Sequence, residues 1–98
     1  MSAFLIVEIE VHDEQTYAIY RARIDANVAA AGGTYLVRGG ELEILEGNWH
    51  PKRVVVIRFD SGEAARRWWS GPGYSDLKAM RHRSATTNMI LVEGVPGV

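Results

Sequence analysis

Residues 4–11 read FLIVEIEV. The odd-numbered positions are all aliphatic, whereas the even-numbered ones are Phe4, Ile6, Glu8 and Glu10. Successive side chains of a β-strand point to opposite faces, so this period of two predicts a strand with one wholly apolar face. Such a face has to be covered, and we expect helices from the following sequence to cover it.

The segment after this strand has helical spacing. Asp13 is a predicted N-cap, because its short carboxylate can accept hydrogen bonds from the first free backbone N–H groups of a helix. The glycine pair at 32–33 predicts the end of the helix, since glycine adopts the left-handed closing conformation without steric cost. One helix face between these points carries Tyr17, Tyr20, Ile24, Val28 and Ala31.

Short connections separate the remaining predicted elements. Further strands are expected at 34–38, 53–60 and 88–94. Further helical stretches are expected after Ser61, which is a predicted N-cap, and from Tyr74. Residues 41–46 also alternate and predict a short exposed continuation of the second strand; which face of that strand meets the helices stays open. The order β-α-β-β-α-β is typical of the α+β ferredoxin-like fold, an antiparallel four-stranded sheet with its helices on one face.

Length and composition limit the class of protein. The 98 residues predict one domain spanning 1–98, with a loose tail at 95–98. The net charge of −1 provides no long-range positive field for nucleic acid or an anionic membrane. The absence of cysteine excludes disulfides and thiolate metal sites. The longest apolar run, Ala3–Val7, is too short to span a bilayer. The N-terminus has no signal-peptide pattern, so we expect a cytoplasmic protein.

The second face of the predicted sheet bears on assembly. We call it the open face, and its predicted members are Phe4, Ile6, Val54 and Val56 with the charged Glu8, Glu10 and Arg58. An uncovered antiparallel sheet face should be polar in a monomer, and a contiguous apolar patch predicts burial against another surface. A homodimer that packs sheet on sheet is the most economical arrangement. The charges would then form ion pairs or line a polar pocket.

Four runs together carry a family resemblance. They are GGTYLVRGG at 32–40, LEGNW at 45–49, PKRVVVIRF at 51–59 and AARRW at 64–68, followed by Ser70, Tyr74 and Arg81. With this combination the chain resembles, from Phe4 to Gly94, the domain of unknown function 1330 family. The helix break at 70–74 departs from the family pattern, because two glycines stand where a serine, a proline and an acidic residue are usual.

The resemblance implies a dimeric α/β barrel of the ferredoxin-like superfamily. That superfamily also holds cofactor-less monooxygenases, chlorite-dismutase-like proteins and muconolactone-isomerase-like proteins. The family itself implies no particular reaction.

Two arginines are candidate ligands for a small anion. Arg38 precedes a glycine pair, and its guanidinium could hold a carboxylate or enolate through two parallel hydrogen bonds. The alternative is an ion pair with Glu8 or Glu10 across the sheet. Arg81 places a charge on an otherwise apolar helix face, where it would either bind an anion or extend to the surface and pair with a glutamate.

Aromatic residues are candidate walls for the same pocket. Tyr20, Trp68 and Tyr74 would line it, and Trp49 would cover it from the loop before the third strand. The alternative is that these side chains only pack in the core. His50 is a weak candidate for proton transfer, the alternative being a solvated imidazole. Trp68 and Trp69 cannot both face inward, since successive helix positions diverge by ~100°.

No motif assigns a reaction. The three histidines have no metal-ligand spacing, and there is no phosphate-binding loop or nucleophile signature, so neither a metal nor a cofactor is predicted. Two functions stay open. The first is a homodimer that binds or converts a small anionic or aromatic molecule resembling an organic acid, in a pocket between sheet and helices. The second is a non-catalytic structural or stress-associated binding module without a small-molecule substrate.

Overall fold

Four strands and three helices form the fold, in a computed structural model that describes residues 1–98. In chain order they are β1 Ala3–Val11, α1 Glu14–Ala30, β2 Thr34–Arg38, β3 Val54–Phe59, α2 Gly62–Ser70, α3 Pro72–Ser84 and β4 Ala85–Glu93. The strands lie in the order β2-β3-β1-β4, and every neighbouring pair is antiparallel. The predicted ferredoxin-like arrangement is confirmed, with the second helical region divided into α2 and α3.

Capping groups fix where the helices begin. The Asp13 carboxylate accepts hydrogen bonds from the backbone N–H and the hydroxyl of Thr16, at 3.1 and 2.7 Å. These bonds lower the pKa of Asp13. The Ser61 hydroxyl accepts a hydrogen bond from the N–H of Ala64 and caps α2. Pro72 occupies the first turn of α3, where its missing N–H costs no hydrogen bond. Both predicted N-caps are confirmed.

The core lies between the helices and one face of the sheet. Its members from β1 and β3 are those that the alternation predicted, namely Leu5, Val7, Ile9, Val55, Ile57 and Phe59. Trp68 is buried with 7% of its surface exposed, whereas Trp69 is 43% exposed, so only one of the two tryptophans faces inward. Gly33 is required by close packing, since a Cβ there would lie 2.6 Å from a methyl carbon of Val28.

A β-bulge in β2 decides which side chains face the helices. Tyr35 lies opposite Ile57 and Arg38 lies opposite Val55, although simple alternation would place Tyr35 and Arg38 on different faces. Leu36 is the extra residue of the bulge. Because Val55 and Ile57 face the helices, both Tyr35 and Arg38 are directed to that side.

Two predicted strand boundaries differ from the structure. The predicted continuation of the second strand over residues 41–46 is wrong, because these residues form no strand. β2 is an edge strand, and the chain leaves the sheet at Gly39, which has a φ of +66°. β4 begins at Ala85 rather than at Asn88, because β1 is long enough to pair with it up to Val11. The hydrogen-bonding partner, rather than the local sequence, sets the start of this strand.

The open face is largely apolar, and no helix of the chain covers it. Ile6 of β1 lies between Val56 of β3 and Ile90 of β4, so these three side chains form a contiguous row. Val37 and Val92 extend the exposed apolar surface at its two edges. No helix of the chain is both long and apolar enough to cross a bilayer.

Candidate functional site

One small cavity lies between α1, α3 and the sheet, and five of the predicted site residues line it. They are Tyr20, Arg38, Trp68, Tyr74 and Arg81. We call this cavity the inner chamber. Its volume is about 30 Å³, which is room for one or two water molecules or for the head group of a larger ligand.

A buried hydrogen-bonded network forms the end of the chamber. The Nε of Arg81 donates to the hydroxyl oxygen of Tyr74 over 3.0 Å, and the hydroxyl groups of Tyr74 and Tyr20 are hydrogen-bonded at 3.3 Å. Tyr74 and Arg81 lie seven residues apart on one face of α3, which brings their side chains together. Burial, followed by the proximity of Tyr74, raises the pKa of Tyr20, so its hydroxyl stays protonated at neutral pH.

The guanidinium of Arg81 has no negative partner. Only 3% of the residue is exposed, and the three ion pairs of the chain are made by other arginines. Its two terminal nitrogens form no hydrogen bond, since Tyr74 accepts only from Nε. These nitrogens are not among the fully buried polar atoms, so they open onto the chamber, and their charge is only partly desolvated. The chamber therefore carries a positive charge that the chain itself does not neutralise.

Trp68 and Asn27 hold Tyr74 in place. The Trp68 ring stacks on the Tyr74 ring with 4.1 Å between centroids. The indole N–H donates to the side-chain oxygen of Asn27 over 2.7 Å, and the Asn27 amide donates to the carbonyl of Gly73 over 2.9 Å. Asn27 was not among the predicted site residues. Its position seven residues after Tyr20, on the same face of α1, is the signal that could have found it.

Arg38 forms an ion pair with Asp25 of α1, and its guanidinium lies 4.5 Å from the centroid of the Tyr35 ring. The hydrogen bond to Asp25 raises the pKa of Arg38. The alternative of an ion pair with Glu8 or Glu10 is wrong, because the bulge in β2 directs Arg38 to the helix side of the sheet. Unlike Arg81, Arg38 is neutralised by the chain.

Arg53 is a further cation of the chamber that the sequence did not single out. Its Nε is buried without a hydrogen-bond partner. Its guanidinium packs so closely against Gly39 that a Cβ there would overlap a terminal nitrogen. The glycine after Arg38 therefore makes room for Arg53. The signal in the sequence was the glycine itself, whose close neighbour could not be identified without the register between β2 and β3.

A wider depression adjoins the chamber, and we call it the outer groove. Its volume is about 440 Å³, within the range of small-molecule sites. It is lined by Ile9, Glu10, Val11, Glu14, Tyr17, Arg21, Lys52 and Arg53. Ile9, Tyr17, Arg21 and Arg53 also line the inner chamber. A ligand could therefore place a head group in the chamber and its remaining atoms in the groove.

Trp49 and His50 lie elsewhere. Trp49 is 61% exposed, and its indole N–H donates to one carboxylate oxygen of Glu8 over 2.9 Å on the open face. The other Glu8 oxygen accepts from the Asn88 amide over 3.0 Å. His50 is exposed and makes no hydrogen bond. The structure thus brings five of the seven predicted residues together and places these two outside the chamber.

No group of three or more histidine or carboxylate side chains is arranged to hold a metal ion.

A family model matches the chain over residues 2–95, and its description is a domain of unknown function, DUF1330. The chain belongs to this family. The resemblance seen in the sequence is therefore confirmed, and membership assigns no reaction. A search of curated proteins finds no match to this chain.

Solved structures confirm the fold. RPA0582, a protein of unknown function from Rhodopseudomonas palustris, superposes with a TM-score of 0.78 at 15% identity, over 96% of this chain and 82% of that one. SnoaB, a cofactor-independent oxygenase from Streptomyces nogalater, superposes with a TM-score of 0.65 at 17% identity, over 97% of both chains. The de novo designed protein Foldit4 superposes with a TM-score of 0.60 at 16% identity, over 96% of this chain and 99% of that one. The likeness of all three shows the fold alone.

The network predicts that Tyr74→Phe destabilises the protein. The substitution keeps the aromatic ring on Trp68 but removes the only hydrogen-bond acceptor of the buried Arg81 guanidinium. We expect a loss of about 1.5–3 kcal/mol in the free energy of unfolding, measured by urea denaturation.

Tyr35→Phe is the matched control for this measurement. The Tyr35 hydroxyl makes no hydrogen bond, and the phenyl ring would keep its contact with Arg38. We expect a change within about 0.5 kcal/mol. Equal effects of the two substitutions would show that the Tyr74 hydroxyl does not support Arg81.

Proposed function

We propose that this protein binds a small organic acid, with its anionic group in the inner chamber against Arg81 and its body in the outer groove. The observation that carries the proposal is the guanidinium of Arg81, which is buried, unpaired and free at both terminal nitrogens. A bound carboxylate would neutralise this charge and accept two parallel hydrogen bonds from the guanidinium.

The neighbouring groups suit an anion. Tyr20 keeps its proton and can donate a hydrogen bond to a carboxylate oxygen. Trp68 and Tyr74 supply aromatic walls. The size of the chamber admits a carboxylate but not a whole organic acid, which is why the proposal places the rest of the molecule in the outer groove.

Binding is supported more directly than conversion. The residues that line the chamber include no carboxylate and no histidine, so no proton acceptor of ordinary basicity faces the anionic end of the proposed ligand. The carboxylates of Glu10 and Glu14 lie in the outer groove. SnoaB, which shares the fold, is a cofactor-independent oxygenase, so the fold does not require a cofactor to act on another molecule. The arginine could stabilise negative charge on a ligand oxygen, which is the one step that these residues offer to a reaction.

We also propose that the open face is buried in a homodimer. The contiguous row formed by Ile6, Val56 and Ile90 supports this arrangement, because an apolar sheet face in contact with water is unfavourable. The helices and the inner chamber lie on the other side of the sheet, so this interface would not cover the chamber. Cytoplasmic localisation stays a prediction from the sequence.

Arg81→Gln tests the binding site. We expect the melting temperature of the unaltered protein to rise with at least one acid from a panel of sodium monocarboxylates and dicarboxylates, compared with sodium chloride at equal ionic strength. At about 100 times Kd the stabilisation is about 2.7 kcal/mol, or roughly 10–20 °C for a domain of this size. Arg81→Gln should abolish the rise.

Arg83→Gln is the control for this experiment. Arg83 is exposed in the last turn of the same helix, so the substitution makes the same change in net charge outside the chamber. It should keep the full rise. Equal rises in all three proteins would place the binding site elsewhere. No rise with any acid in the unaltered protein would favour the non-catalytic structural module.

Ile6→Lys tests the homodimer. The substitution would place an ammonium group between Val56 and Ile90, in the centre of the proposed interface. Because burying an unpaired charge is costly, the dissociation constant of the dimer should rise by at least about 100-fold in sedimentation equilibrium. Ile19→Lys, at an exposed position of α1, should leave it unchanged. A monomeric unaltered protein would contradict the proposal.

A further inference from the structure

The inner chamber and the outer groove together hold more positive charge than one carboxylate can neutralise. Arg21, Arg53 and Arg81 line these cavities and take part in none of the ion pairs of the chain. The fourth arginine, Arg38, is already paired with Asp25. This concentration is local, because the whole chain has a net charge of −1.

The balance of charges can be counted from the lining residues. Apart from the Arg38–Asp25 pair, the two cavities present four cations, which are Arg21, Lys52, Arg53 and Arg81. They present two carboxylates, Glu10 and Glu14, both in the outer groove. Four positive and two negative charges leave a net charge of +2. A ligand with two negative charges would balance it.

Arg81 and Arg53 both line the chamber, and each has nitrogen atoms without a hydrogen-bond partner. The terminal nitrogens of Arg81 are free inside the chamber. The Nε of Arg53 is buried without a partner, and Arg53 lines both the chamber and the groove, so it lies at their junction. Arg53 is held there by packing against Gly39. The site therefore has two separate positions for an anionic group.

We infer that the ligand is an organic dicarboxylate. One carboxylate binds Arg81 in the inner chamber, and the second binds Arg53 at the junction with the outer groove, where Arg21 adds a further positive charge. This inference rests on the proposed function and narrows it from organic acids in general to dianions. Arg53 then determines specificity, because it distinguishes a dicarboxylate from a monocarboxylate that fills the chamber equally well.

Isothermal titration calorimetry with matched acids tests the inference on the unaltered protein. The straight-chain dicarboxylates from malonate to adipate are compared with monocarboxylates of equal carbon number, at constant ionic strength. We expect at least one dicarboxylate to bind about 10- to 100-fold more tightly than its matched monocarboxylate, the gain expected from one charge-assisted hydrogen-bonding group. This comparison needs no variant and so does not depend on a substitution being tolerated.

Substitutions then separate the two positions. Arg53→Gln should reduce the affinity for the dicarboxylate to that for its matched monocarboxylate, and should leave monocarboxylate binding within about twofold. Arg81→Gln should weaken both acids. Arg23→Gln is the control, since Arg23 is exposed on α1 and lines neither cavity.

The outcomes distinguish this inference from the proposed function. If matched acids bind the unaltered protein equally, or if Arg53→Gln weakens both acids alike, the dicarboxylate inference is overturned and organic-acid binding stands. If no acid of either series binds, the proposed function fails, and the inference fails with it.

Discussion

The rest of the site depends on one buried cation. The side chain of Arg81 points from α3 into the inner chamber, where its Nε donates a single hydrogen bond to Tyr74. The chain places no carboxylate in an ion pair with it. The surrounding groups add no negative charge, because burial keeps the Tyr20 hydroxyl protonated. Full burial of an unpaired charge costs several kcal/mol, and even part of that cost is a considerable fraction of the stability of a typical domain, which is about 5–15 kcal/mol. An anion supplied from outside would remove that cost, which gives the stability of the chain a direct link to ligand binding.

The fold positions this cation through features on three elements. The break between α2 and α3 starts a new helix, so that Tyr74 and Arg81 share one face and Trp68 can stack on Tyr74. Asn27 connects this assembly to α1 through two hydrogen bonds. The bulge in β2 directs Arg38 to the same side of the sheet, where Asp25 neutralises it. The result is one compensated arginine beside an uncompensated one.

The sequence predicted those features that depend on local patterns. Alternation located β1 and β3 and assigned their faces, and short polar side chains located the two N-caps. It could not predict the bulge in β2, because one extra residue is visible only in the pairing with β3. For the same reason, the glycine at position 39 was visible in the sequence, whereas the Arg53 side chain that packs against it was not. Trp49 was expected at the pocket because it is aromatic and lies in a loop; the direction of that loop depends on its contact with Glu8 across the open face.

A high-resolution crystal structure of the protein crystallised with glutarate would show which group neutralises Arg81. We expect carboxylate density in the inner chamber within hydrogen-bonding distance of the two terminal nitrogens of Arg81. A carboxylate of the protein itself, from either copy, in contact with that guanidinium would show that Arg81 needs no ligand to neutralise it and would contradict the proposed binding site.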